Sequence, residues 1–318
     1  MKAAVIDRYG RYGAPELVRV AEVPSPAPKA DEALVRVRAA AVTSGDSRIR
    51  GGRFPPGFGL LARLAFGVVR PRRQILGSTF SGTVEAVGPR CRGLAPGDEV
   101  CGMTGMAMGA HAEYVAVPAS KLARKPAAVT HEDAAGLLFG GTAALFFLRD
   151  KASTAPGMSV LVNGASGAVG TNAVQLAKHF GATVIGVTST PNAALVTSLG
   201  ADRILDYTST DLTTTGERFD VVLDTVGNLS IATGRRLLCP GGVLLLAVAS
   251  LGDTLRARGN VAAGSAPERV ADYEFLLQLV ASGSLTVVID RVYDLEGIVE
   301  AHRRVDSGHK RGNVIVRP

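Results

Sequence analysis

The sequence has no tryptophan, three cysteines and only 5% aromatic residues among 318. So few aromatic side chains exclude a stacking platform for single-stranded nucleic acid, and we expect no nucleic-acid partner. The cysteines at 91, 101 and 239 lie far apart without a CxxC pair, which excludes a disulfide framework and a cysteine-rich zinc site. We interpret all three as small core residues.

Long apolar runs are also absent from the sequence. No stretch approaches the roughly 18 residues that a membrane span needs. The opening MKAAVIDRYG lacks the apolar stretch and cleavage site of a signal peptide. We therefore expect a cytoplasmic protein with no membrane partner. The formal net charge of +7 favours an anionic partner, and a phosphorylated cofactor would satisfy it.

The hydrophobic pattern divides the chain into two parts. Up to about residue 126, short alternating runs such as 34–39 and 82–88, separated by Gly/Pro turns, predict a small β-barrel or sandwich. Within this part, residues 51–75 are rich in glycine, proline and arginine and predict a long loop with one helical turn. From about 127, strand-like runs such as 243–248 alternate with helical ones, which predicts an α/β, doubly wound parallel sheet.

The segment VLVNGASGAVG at 160–170 joins a buried strand to a helix. Dinucleotide-binding loops use G-x-G-x-x-G for a tight turn, close approach to pyrophosphate and close helix packing. The aligned positions here are Ala165, Gly167 and Gly170, so alanine replaces the first glycine. In this strand–loop–helix context, the motif predicts a phosphate cradle at the N-terminus of the helix.

The helix after this loop is predicted to be amphipathic. Its apolar residues recur at helical spacing from Val169 to Phe180. Asn172 and Gln175 then fall on the opposite, polar face.

The end of the following strand indicates which nucleotide fits. NAD-binding folds place an acidic residue there, about 20 residues after the glycines, to bind the ribose hydroxyls. This chain has the hydroxyl-rich run VTSTPN at 187–192, and the next carboxylate is Asp202. Because an acid would repel a 2′-phosphate, the run favours NADP(H). No lysine or arginine lies within 188–192, so we expect Tyr207 and the basic C-terminal tail to supply contacts.

Six ordered motifs resemble the medium-chain dehydrogenase/reductase superfamily, in its quinone oxidoreductase (zeta-crystallin-like) branch. They are AAAVTSGD at 39–46, LGSTFSG at 76–82, PGDEV at 96–100, GGTAAL at 140–145, NGASGAVG at 163–170 and GAD at 200–202. The resemblance covers nearly the whole chain. It implies a GroES-like β-barrel domain at 1–126, to which the tail 291–318 returns, and a Rossmann NADP-binding domain at 127–290. It also implies an active site in the cleft between the domains, and a homodimer.

Departures from the superfamily pattern bear on the chemistry. Zinc-dependent members hold a catalytic zinc through a cysteine at the position of Thr43 and a histidine at that of Ser78, and neither hydroxyl is a normal zinc ligand. Residues 137–141 offer no third ligand, and a structural zinc lobe needs four cysteines. The resemblance thus implies a zinc-independent enzyme that uses NADPH to reduce an already polarised acceptor, a quinone or α,β-unsaturated carbonyl.

The resemblance also implies contacts with the cofactor at individual positions. Those expected outside the glycine loop are Thr142, Val248, Ala249, Ser189, Tyr207, Arg311 and Asn313. The first three lie at the nicotinamide, the next two at the adenosine phosphate, and the last two in the tail that closes over the cofactor. Those expected within the loop are Asn163, Ala165, Ser166, Gly167, Ala168 and Val169.

The catalytic candidates that would line the cleft are Thr43, Asp46 and Arg48. The family often has asparagine at the position of Thr43 and an aromatic residue near that of Arg48. An alternative role for Asp46 is to order its loop together with Arg50. Arg48 would bind an anionic or carbonyl substrate.

Two other functions remain open. The first is a trans-acting enoyl-thioester reductase, in which Arg70, Arg72 and Arg73 would dock an acidic carrier protein. The second is a cofactor-binding interaction protein without catalytic activity.

Overall fold

The structure, a computed structural model, describes residues 1–10 and 14–318. It has an α/β fold with a mixed sheet, a parallel sheet and a separate antiparallel pair formed by the first two strands. The strands are β1 (Lys2–Val5), β2 (Arg19–Glu22), β3 (Glu32–Val42), β4 (Thr79–Val87), β5 (Glu99–Met103), β6 (Tyr114–Pro118), β7 (Leu122–Arg124), β8 (Ser159–Asn163), β9 (Thr183–Thr188), β10 (Arg203–Asp206), β11 (Phe219–Asp224), β12 (Leu238–Leu246), β13 (Val261–Ala263), β14 (Ile289–Asp294) and β15 (Asn313–Arg317). The helices are α1 (Ser44–Gly51), α2 (Gly59–Phe66), α3 (His131–Leu145), α4 (Ala168–His179), α5 (Thr190–Ser198), α6 (Ile231–Arg235), α7 (Leu251–Arg256), α8 (Val270–Ala281) and α9 (Ile298–Asp306).

The parallel sheet has the strand order β10-β9-β8-β11-β12-β13, and every neighbouring pair is parallel. The order reverses between β8 and β11, where the two βαβ halves meet. The central strands β8, β9 and β11 are buried on both faces, and Val160, Leu161 and Val162 of β8 have no exposed surface. The predicted doubly wound sheet is therefore confirmed. In such sheets ligands bind at the carboxyl ends of the strands beside the reversal point, here β8 and β11.

The mixed sheet has the order β14-β15-β3-β4-β5-β7, with β6 also paired to β3. Strands β14 and β15 are parallel to each other, and the other pairs are antiparallel. The end of the chain thus leaves the parallel sheet after α8 and joins the first part of the chain. Helix α3 contacts β3 and β4 on one side and α4 and α8 on the other. The domain limits at residues 126 and 290 stay predictions.

The segment 51–75 contains more helix than we predicted. Helix α2 makes two turns from Gly59 to Phe66 instead of one. Its interior, Leu60 to Ala65, is made of good helix formers, and Gly67 ends it with a φ of +118°. The abundance of glycine and proline on both sides concealed this short run.

Two predictions about burial or exposure differ from the structure. Asn172 and Gln175 of α4 are buried instead of facing solvent, and the Gln175 amide exchanges two hydrogen bonds with the backbone before β14. Cys91 and Cys239 are only half-buried, so the core interpretation is wrong for these two cysteines.

No helix among the described residues is long and apolar enough to cross a membrane.

Candidate functional site

The backbone of the glycine loop between β8 and α4 explains why alanine can replace the first glycine of the motif. Gly164 has a φ of +82°, a left-handed conformation that favours glycine, whereas Ala165 does not. The Ala165 side chain is fully buried, and its N–H donates to the Val187 carbonyl at 3.0 Å. The tight turn therefore needs its glycine at 164, one residue earlier than the motif places it, and tolerates alanine at 165.

The two remaining glycines of the motif serve different purposes. A Cβ at Gly170 would lie 2.1 Å from the Gly164 carbonyl oxygen, so α4 can approach the loop only with glycine there. At Gly167 the same oxygen, at 3.5 Å, is the only neighbour, and the space in front is open. Gly167 precedes α4, and the N–H groups of Ala168 and Val169 have no partner within the helix. This end of α4 is an open cradle suited to an anion.

Asn163 ends β8 at the point where the strand order reverses. Its Nδ2 donates to Asp224 Oδ1 at 2.9 Å and to Asn228 Oδ1 at 2.6 Å. The Asp224 carboxylate is fully buried and also accepts three backbone N–H groups of the following turn. Asn163 thus orders the floor of the loop, and its contact with the cofactor stays a prediction. We missed Asp224 because only the register of β8 and β11 brings it opposite Asn163.

The C-terminal tail contacts the glycine loop directly. Gly312 forms a parallel bridge with Gly167, and the Gly312 N–H donates to the Ser166 carbonyl at 2.8 Å. Arg311 donates to the Pro191 carbonyl at 3.2 Å, at the start of α5. Asn313 is buried and donates to a backbone carbonyl before β14. The tail therefore lies beside the predicted phosphate cradle, while contact of Arg311 and Asn313 with the cofactor stays a prediction.

A basic cavity of about 520 Å³ opens beside the start of α5. It is lined by Ser189, Pro191, Asn192, Asp290, Arg291, Arg304, His309 and Arg311. Arg304 is paired with Asp290, whereas Arg291 and Arg311 form no salt bridge with any described residue. The positive charge that is missing from 188–192 is thus supplied by the end of the chain.

An acidic residue that we missed lies at the end of β10. Asp206 accepts hydrogen bonds from Thr190 Oγ1 and from the N–H and Oγ1 of Thr208, and these lower its pKa to about 2. Both carboxylate oxygens are occupied by these contacts. Tyr207, the next residue, is exposed, and its contact with the adenosine phosphate stays a prediction. The sequence motif places the acid after β9, whereas Asp206 ends β10 and reaches the end of β9 only through strand pairing.

A second cavity, of about 540 Å³, lies between the two sheets. Predicted site residues that line it are Thr43, Asp46, Arg48, Thr142, Val169 and Val248. Ala249 lines an adjoining cavity, to which Arg48 and Val248 also contribute. The Thr142 hydroxyl donates to the Leu138 carbonyl at 2.6 Å. The lone pairs of the Thr142 oxygen therefore remain free to accept a hydrogen bond from a bound molecule. The structure thus brings the predicted catalytic residues and the predicted nicotinamide-end residues around one space.

Thr43 and Asp46 cap the N-terminus of α1. Asp46 accepts from the Thr43 N–H at 2.8 Å, the Thr43 hydroxyl at 2.6 Å and the Gly77 N–H at 2.9 Å, and is fully buried. Thr43 Oγ1 accepts from the Asp46 N–H in return, which completes a capping box. These contacts favour a structural role, and catalysis by either residue stays a prediction. The expected pairing of Asp46 with Arg50 is wrong, because Arg50 pairs with Asp306.

Arg48 is the positively charged side chain that lines the cavity between the two sheets. It lies in the last turn of α1 and lines three adjoining cavities. Burial lowers the pKa of its guanidinium, and it forms no salt bridge within the described part of the chain. A desolvated guanidinium without a carboxylate partner is a strong donor to any oxygen that enters the cleft.

The cleft offers no set of zinc ligands. Thr43 and Ser78, at the positions of the ligands in zinc-dependent members, both line the cavity with hydroxyl groups. Among the described residues, no group of three or more His, Cys, Asp or Glu side chains could hold a metal ion. The donor groups at this place do not fit zinc.

Comparisons with known proteins cover both parts of the chain. The family model described as "Alcohol dehydrogenase GroES-like domain" matches residues 29–127, and that described as "Zinc-binding dehydrogenase" matches 199–316. The chain is 31% identical over 325 residues to the 2-methylene-furan-3-one reductase of Solanum lycopersicum, covering 98% of this chain and 78% of the relative. It is 31% identical over 334 residues to the chloroplastic NADPH-dependent alkenal/one oxidoreductase of Arabidopsis thaliana, covering 100% and 80%. Among solved structures, the quinone oxidoreductase from Coxiella burnetii matches with a TM-score of 0.87 at 26% identity, over 100% of both chains.

The comparisons and the sheet topology together establish the fold and the family of the chain. The match to the first family model and the parallel sheet confirm a GroES-like domain combined with a Rossmann-like domain. This is a nicotinamide-dependent oxidoreductase fold. Because two relatives above 30% identity extend over nearly the whole chain, the family is established as well. The chain belongs to the medium-chain dehydrogenase/reductase superfamily, in its quinone oxidoreductase branch.

Proposed function

We propose that the protein is a zinc-independent, NADPH-dependent reductase of quinones or α,β-unsaturated carbonyl compounds. The observation that carries this proposal is the cavity between the two sheets, where Arg48 and Thr142 face one space beside the N-terminus of α4. Two relatives that align with nearly the whole chain are named for reducing a methylene-furanone and for acting on alkenals and alkenones. These names support a conjugated carbonyl as the acceptor.

The chain's own residues would position the acceptor and stabilise charge. A bound nicotinamide coenzyme supplies the hydride for this class of reaction. Reduction of a conjugated carbonyl places negative charge on its oxygen, and Arg48 is the cationic donor in the cleft. Because an arginine keeps its proton in proteins, Arg48 stabilises this charge and does not act as an acid. The proton is then taken from solvent.

The basic cavity at Ser189 supports NADPH over NADH. A 2′-phosphate adds negative charge at the adenosine end, and Arg291 and Arg311 line that cavity without a carboxylate partner. Asp206, the nearby acid, already accepts from Thr190 and Thr208. The NADPH dependence in the name of the Arabidopsis relative agrees with this assignment.

Replacing Arg311 by alanine should weaken the binding of NADPH much more than that of NADH. We expect the Kd for NADPH to rise by about ten- to a hundredfold, because a charge-assisted hydrogen bond to phosphate is worth about 1.5–3 kcal/mol, while the Kd for NADH hardly changes. Calorimetry with both coenzymes measures this, with the exposed Arg90→Ala as control. An equal loss for both coenzymes would refute a 2′-phosphate site in this cavity.

Arg48→Ala should impair turnover more than coenzyme binding. With NADPH and a panel of quinones and alkenals, we expect kcat/KM to fall about a hundredfold, as for loss of one oxyanion donor, with NADPH affinity unchanged. Arg48→Lys keeps a charge and should recover part of the loss.

The same panel tests the proposed function itself. Absence of turnover with every acceptor, while NADPH binds tightly, would favour the interaction protein without catalysis. If an enoyl thioester is added to the panel, turnover confined to it would favour the trans-acting enoyl reductase.

A further inference from the structure

The outer face of α2 and the residues after it form an exposed apolar surface. We define the α2 patch as Leu60, Leu61, Leu64, Val68 and Val69 with the three arginines at 70, 72 and 73. The five apolar side chains are between 53% and 81% exposed. They make up half of the ten large apolar side chains that are exposed in the described part of the chain. Such clustering marks a binding surface, whereas single exposed apolar residues do not.

The other side of α2 is held against the protein. Ala62 is buried, and Phe66 stacks on Phe54 with ring centroids 6.0 Å apart. Arg63 lies over the Tyr9 ring at 4.2 Å and donates to the backbone carbonyl of Val68. The helix is therefore held against the protein through one face. This orientation leaves Leu60, Leu61 and Leu64 exposed to solvent.

The arginines of the α2 patch give it a strong positive charge. Arg70, Arg72 and Arg73 are exposed and form no salt bridge within the described residues. An acidic protein surface would pair with the arginines but would leave three leucines and two valines without an apolar partner. An anionic lipid surface satisfies both, since apolar side chains enter the acyl boundary while arginines contact lipid phosphates.

We propose that the α2 patch binds peripherally to the surface of a membrane that contains anionic lipids. Our expectation of no membrane partner rested on spanning segments alone and does not address this mode of binding. Helix α2 also forms part of the wall of a cavity of about 590 Å³, through Leu61 and Phe66, opposite Arg48 and Val248. Resting on the proposed function, the same contact places the mouth of the cleft where a lipid-dissolved quinone or enone can enter.

Vesicle flotation of the full chain tests the α2 patch without any measurement of turnover. The probes are vesicles of phosphatidylcholine alone and of phosphatidylcholine with phosphatidylglycerol. We expect at least tenfold tighter binding to the anionic vesicles, weakened by salt. Each arginine near such a surface contributes about fivefold, so Arg70→Ala/Arg72→Ala/Arg73→Ala should lose roughly a hundredfold.

A second triple variant removes the apolar part of the α2 patch. Leu60→Ser/Leu64→Ser/Val69→Ser should lose at least tenfold in vesicle affinity while its unfolding midpoint falls only slightly, because these side chains are exposed and serine is only a somewhat weaker helix former than leucine. The matched controls change residues on other surfaces. They are Val292→Ser for the apolar variant and Arg38→Ala/Arg90→Ala/Arg92→Ala for the loss of charge.

The outcomes separate this proposal from its alternatives. Failure of the wild-type chain to bind anionic vesicles would overturn it, and so would binding that survives both triple variants. If vesicles do not bind and the arginine variant loses reduction of a carrier-bound enoyl thioester, the partner is an acidic carrier protein. Vesicle binding by a chain that reduces no quinone or enone would support the α2 patch and refute only the proposed function.

Discussion

Gly167→Asp should weaken NADPH binding at least about a hundredfold while the empty protein becomes slightly more stable. Gly167 has a φ of −81° and a ψ of 176°, which any residue adopts, and only the Gly164 carbonyl oxygen lies near its absent Cβ. Aspartate is a somewhat better N-cap than glycine, so it should stabilise α4 by roughly a few tenths of a kcal/mol. The same carboxylate would occupy the cradle meant for pyrophosphate and repel it.

Gly167→Asn is the matched control for the effect of charge. It caps α4 in a similar way without a carboxylate, so it should bind NADPH markedly more tightly than the aspartate variant. Calorimetry gives the affinities, and thermal unfolding without coenzyme gives the stabilities. Wild-type NADPH affinity in Gly167→Asp would refute the assignment of this loop as the phosphate cradle.

Asp306→Ala should lower the free energy of unfolding by about 3–5 kcal/mol, the usual result of breaking a buried ion pair. Asp306, at the end of α9, accepts from Arg50 Nη2 and from Ser47 Oγ of α1. The Arg50 side chain is only 2% exposed, and its Nη1 already has no partner. Burial holds the pKa of the neighbouring His302 well below its ordinary value, so this imidazole is neutral and adds no second positive charge beside Arg50.

Two further variants identify the origin of this loss. Asp306→Asn keeps one side-chain oxygen and the shape of the side chain without its charge. It should lower the free energy of unfolding less than Asp306→Ala does. The double variant Arg50→Met/Asp306→Leu removes both charges and should recover much of the stability, because no charge remains buried without a partner. Urea unfolding measures all of them. An unchanged midpoint in Asp306→Ala would show that this pair does not fasten α1 to α9.

The parallel sheet was predictable because it depends on local pattern. The runs 160–162 and 243–248 are continuously apolar, as strands buried on both faces require. The prediction failed for α4, where we assigned Asn172 and Gln175 to solvent. An amphipathic pattern assumes one covered side, whereas α3 and the segment before β14 cover a second side of this helix.

Local pattern alone predicts the candidate site only where its residues are close in sequence, and the residues from distant parts of the chain were expected from the family resemblance. The glycine loop and the cap of α1 each come from one short motif. Asp224, Asp206 and Arg291 were missed because neighbouring strands or the end of the chain bring them to the site. Strand register and the return of the chain create these contacts, and neither can be read from local pattern.

The bridge between Gly167 and Gly312 has a mechanical consequence. It ties the loop of one sheet to the last strand of the other at the basic end of the cleft. Gly312 has a φ of +63°, and a Cβ there would lie 2.2 Å from the Val288 carbonyl oxygen, so only glycine fits at this point. A rotation that opens the cleft must pivot near this bridge or break it. A hinge at this bridge would keep the glycine loop and the tail together while the cleft opens, so the open cradle at the start of α4 would persist as an acceptor enters or leaves.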